Sequence, residues 1–69
     1  MDREQMIINA LRVAAAVYAN DAAAIKEVGI AEVDAGMGRL RAGFNQQAKE
    51  ALQLADFIEN MGLNPLAAA

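Results

Sequence analysis

The sequence predicts an all-α protein, an antiparallel hairpin of two long helices. Three observations predict it. Each half of the chain carries a seam of residues spaced alternately four and three apart, the heptad signature of packed helices. Seventeen of the 69 residues are alanine, the strongest helix former. Glycines at 29, 36 and 38 lie between the two seams and offer a turn.

The first helix is expected over residues ~3–33. Asp2 can cap it, and Gln5 stands three residues on, where a capping box places its second partner. Glu4 falls in the first turn, where the helix dipole favours an anion. Its seam reads Ile7, Leu11, Ala14, Tyr18, Asp21, Ile25 and Val28. Asn20 and Asp21 prefer caps to helix interiors, and a break there would give three helices in all. The seam keeps its phase across the pair, which favours one continuous helix.

The turn is expected at residues ~34–38, Asp34-Ala35-Gly36-Met37-Gly38. The second helix then covers ~39–61, with Leu40, Phe44, Gln47, Ala51, Leu54, Ile58 and Met61 as its seam. Gly62 suits a left-handed cap, Leu63 the apolar contact that accompanies it, and Pro65 a stop. A tail, 62–69, closes a single helical domain spanning 1–69. Folding at residues 36–37 would pair Val28 with Phe44, Ile25 with Gln47, Asp21 with Ala51, Tyr18 with Leu54 or Ala55, and Leu11 with Met61.

Assembly follows from surface. The apolar arc of the second helix spans about 220°, whereas a helix packed on one neighbour needs roughly 100°. Met6, Ala10, Val13, Val17 and Ala24 form a second stripe on the first helix. Only 22 apolar side chains are larger than alanine, and there is no cysteine or histidine to staple the fold. A lone hairpin would be marginal. Two hairpins closing a two-fold four-helix bundle, or a higher homo-oligomer, would hide the second stripes. Tyr18, Asp21, Phe44 and Gln47 are the candidate register residues. A polar residue in an apolar seam sets register at a cost in stability, so Asp21→Leu is expected to raise the melting temperature and loosen the assembly.

Chemistry is sparsely provided. The chain has no Ser, Thr, Cys or His, the usual nucleophiles and the usual base. A di-metal carboxylate bundle needs several inward Glu and a Glu-x-x-His motif. The expectation is no enzyme, no metal and no cofactor. A net charge of −3 gives no electrostatic reason to seek nucleic acid or an anionic membrane. The longest apolar run, Val13–Ala19, falls far short of the ~20 residues of a membrane span. Asp2, Glu4 and Arg12 argue against a secretory leader. A cytoplasmic protein is expected.

The function expected is protein–protein interaction, as an adaptor, inhibitor or assembly subunit that masks a partner. Partner contacts are expected from Met37, Arg39 and Arg41 at the turn and from Phe57, Met61 and Leu63 at the far end. Two other readings stay open. Residues 21–41 distantly resemble a helix-turn-helix with Gly29 at its turn, although Glu32 and Asp34 would repel phosphate. The Gly36–Arg41 segment, if it opens the second helix, could hold a nucleotide or other small anion at a helix N-terminus.

Overall fold

The computed structural model describes residues 2–67, of which the backbone alone is considered for 66 and 67; Met1 and the last two residues of the expected tail lie outside the described residues. Three helices follow in order: α1 (Arg3–Ala24), α2 (Ala31–Met61) and the short α3 (Asn64–Ala67). α1 and α2 pack side by side as an antiparallel hairpin. Two contacts mark its ends. The Leu63 N–H donates to Glu4 Oε1 at 3.1 Å, and Arg41 Nη2 donates to the Ile25 carbonyl at 2.7 Å.

α1 begins as the sequence predicts. Asp2 has extended backbone, and its Oδ1 accepts from the Gln5 N–H at 2.7 Å. Gln5 does not complete the capping box; its Nε2 donates to Asn9 Oδ1. The helix runs unbroken through Asn20-Asp21. It ends nine residues before the expected boundary, at Ala24, where Ile25 turns extended (φ −76°, ψ 120°).

The turn therefore lies at 25–30, not at 34–38, and α2 starts at Ala31 rather than near 39. Gly29 (φ +84°) supplies the left-handed residue. Asp34 then secures the connection: its carboxylate accepts from the Val28 N–H at 2.8 Å and the Gly29 N–H at 3.2 Å. Asp34 also lies, with Glu32, in the first turn of α2, where the dipole favours anions. Gly36 and Gly38 are ordinary helical residues inside α2. At the far end Gly62 ends α2 where expected, its N–H donating to the Ile58 carbonyl at 2.8 Å, although its φ of +82° and ψ of 177° are not those of the left-handed helical cap.

Moving the turn moves the seam. The buried residues of α1 are Ile8, Ala15 and Ala22, interleaved with half-buried Leu11, Tyr18 and Ile25. In α2, buried Ala48, Ala55 and Ile58 share a row with half-buried Arg41, Phe44 and Ala51. Both rows keep the alternating spacing of three and four, one residue out of phase with the expected rows at every second position. Asp21 and Gln47 consequently fall outside the hairpin seam and are exposed. The expected pairing is corrected as well. Tyr18 stacks on Phe44, ring centroids 6.4 Å apart, rather than meeting Leu54 or Ala55.

Four of the six buried residues are alanines, so the two backbones can approach closely. Larger side chains gather at the terminal end. Ile8, Ala55 and Ile58 form the one core cluster among the described residues, with Ile7, Leu11 and Leu63 packed against it.

Candidate interaction surface

A helix turns 100° per residue, so the buried seam fixes where every other side chain points. With Ala15 and Ala48 inward, the hairpin has two unlike broad faces. One carries Gln5, Asn9 and Arg12 from α1 with Asn45, Lys49, Asp56 and Glu59 from α2. Arg12 Nη2 bridges it, 2.9 Å from Glu59 Oε2 and 4.0 Å from Asp56 Oδ1. The opposite face carries Ile7, Ala10 and Ala14 from α1 with Val33, Leu40, Leu54, Phe57 and Met61 from α2. A third apolar strip, Met6, Val13 and Val17, lies on the edge of α1 turned away from α2.

These residues are wet. Eleven large apolar side chains are exposed among the described residues, and Met6, Val13 and Met61 each show about three-fifths of their surface (59%, 64% and 62%). The cause is shape. The backbone measures 48 × 25 × 13 Å, a plate one helix thick. Its radius of gyration is 15.6 Å, against roughly 11 Å for a compact chain of this length. A domain core forms between two packed layers. This hairpin supplies one layer.

α2 holds a regular row on its outer flank. Val33, Gly36, Leu40, Gly43, Gln47, Glu50, Leu54, Phe57 and Met61 recur at alternating spacing of three and four. This second heptad row is offset by about 100° from the one that packs on α1. The row expected from sequence had merged the two, taking Leu40, Gln47, Leu54 and Met61 from the outer one and Phe44, Ala51 and Ile58 from the inner.

The expected partner-contact residues scatter. Phe57 and Met61 stand exposed on the apolar face. Leu63 packs against the terminal core cluster. Met37 is half-buried on the inner seam, and Arg41 is engaged within the chain by the Ile25 carbonyl. Arg39 is exposed. Met37, Arg39 and Arg41 sit within α2 rather than at a turn, so the two ends do not form one patch. Met6, Val13, Val17 and Val33 are exposed apolar residues that the list of expected contacts left out; the second stripe on the first helix had already pointed to three of them.

Two other readings lose their geometry. Gly36–Arg41 lies inside α2 rather than at the helix N-terminus that the anion reading assumed. Residues 21–41 hold the end of α1, the connection and the start of α2, with α1 and α2 lying alongside each other; no short helix crosses steeply as in a helix-turn-helix. Among the described residues no polar side chain is buried, and no helix is long and apolar enough to cross a membrane. Comparison with protein-family models, with curated proteins and with solved structures finds no match.

Proposed function

We propose that the chain is a small non-catalytic interaction protein of the cytoplasm, an adaptor, inhibitor or assembly subunit. It works by laying its apolar surface on another protein and on a second copy of itself, the latter closing a four-helix bundle. One observation carries the reading: a hairpin one layer thick exposes eleven large apolar side chains among the described residues, eight of them in two rows. Isolated exposed apolar residues are ordinary on soluble proteins, whereas contiguous patches mark interaction sites. Phe and Met are enriched in such contacts.

Capture from native lysate with the wild-type chain, beside a Phe57→Asp/Met61→Asp variant, tests this. Both residues are exposed, so the variant is expected to keep the hairpin's helical circular dichroism and lose the captured partner. A partner held equally by both chains would remove this face from the function.

A further inference from the structure

We propose that α2 pairs antiparallel with α2 of a second copy, through its outer row and in one register. Leu54 of each copy then seats over Gly43 of the other, Met61 over Gly36 and Leu40 against Phe57, while Gln47 meets Glu50. This rests on the reading that the apolar surface is a binding surface, and it names the occupant of one part of it.

The glycines are the first support. Gly36 and Gly43 have helical backbone, so no turn requires them. Glycine is disfavoured in helix interiors relative to alanine. The hairpin itself gives no reason for the substitution. A Cβ at Gly43 would meet nothing within 4 Å, and one at Gly36 would meet only the end of the flexible Arg39 side chain, at 3.7 Å. Both glycines lie on the outer row. There they act as notches, and the same row carries the knobs Leu54 and Met61, 11 residues from Gly43 and 25 from Gly36.

The register is the second support. In antiparallel pairing the two positions of the heptad face each other, and each contact occurs twice about the two-fold axis. Only one alignment puts the two polar residues of the row together. Slipping by one heptad sets Glu50 against Leu40 one way and against Leu54 the other. A parallel pairing sets Glu50 beside Glu50, and the glycines against their own copies. In this register α2 overlaps its copy from Gly36 to Met61.

The area is the third. The chain exposes 4992 Å². A compact monomer of 7.3 kDa would expose roughly 4,200 Å², an excess of about 800 Å². A stable interface of standard size takes about 800 Å² from each partner.

The test uses the full chain, which has no cysteine of its own. Light scattering is expected to give twice the 7.3 kDa chain mass. An equimolar mixture of Leu40→Cys and Phe57→Cys chains, oxidised gently, is expected to yield the mixed disulfide almost alone. Position 40 lies about 25 Å along the axis from its own copy in this register, far beyond disulfide reach. Gly43→Leu, which the hairpin can accommodate, is expected to return the mass to a single chain with helicity retained. A monomeric wild type overturns the pairing, and so does a dimer without preference for the mixed disulfide or a Gly43→Leu chain that still dimerises. Any of these with partner capture intact leaves the functional reading standing.

Discussion

Ala55 and Ile58 are both buried, yet they answer for different things. Ile58 is the largest fully buried side chain, at the centre of the terminal cluster. Ile58→Ala removes that apolar volume, and the cost of such changes is ~2–5 kcal/mol. Half-buried Ile7, Leu11 and Leu63 can close part of the gap, so about 2–3 kcal/mol is expected. Ala55 fills almost no volume but sets how near the helices come. Ala55→Leu is therefore expected to cost about 1–3 kcal/mol by overpacking rather than to gain from added apolar surface. Leu52→Ala, on an exposed side chain, should stay within about 0.5 kcal/mol. Urea denaturation of the three variants checks the order. A stabilised Ala55→Leu would mean that the helices are not held at small-residue distance.

At the scale of the element, the legible parts were those decided by neighbours in sequence. Asp2 caps α1 and Gly62 ends α2 where expected, because these contacts link residues three or four apart. The existence of two antiparallel helices was legible for the same reason. The turn was not. Gly36 and Gly38 stood together and drew it, whereas the bend uses Gly29 and a carboxylate five residues downstream. Apolar Ile25 and Val28 carried the seam's phase across the true break and concealed it. The seam's phase was misread for a related reason. α2 has two heptad rows, and large side chains drew the assignment to the outer one, while packing between two close backbones selected alanines. The connection gives a prediction. Asp34→Ala strips the Val28 and Gly29 N–H groups of their acceptor and is expected to cost about 0.5–1 kcal/mol, since water can reach both groups. Asp34→Asn, which keeps one acceptor oxygen, should cost less; equal denaturation midpoints for the two variants would assign the effect to charge at the helix start instead.

For the whole molecule the question is where the second layer comes from. Among the described residues one hairpin buries six, a small core for a chain of this size, so alone it is folded but marginal. If a second copy supplies the layer, association stabilises the hairpin by mass action, and the melting temperature must depend on concentration. With an unfolding enthalpy of ~0.7 kcal/mol per residue over two chains, each tenfold rise in concentration is expected to lift the midpoint by about 5 °C. Differential scanning calorimetry over two decades of concentration would show it; a flat midpoint would mean that the hairpin is held by its own seam. The same arrangement divides the apolar surface between two occupants. Pairing through α2 covers Leu40, Leu54, Phe57 and Met61 but leaves Met6, Val13 and Val17 on the far edge of α1. Val13→Glu should therefore leave both the midpoint and its concentration dependence unchanged. A partner that binds α2 must displace the second copy, and its capture would weaken as the chain is concentrated. One that binds α1 would be carried two to a dimer, so the concentration dependence of capture tells a masking protein from an adaptor.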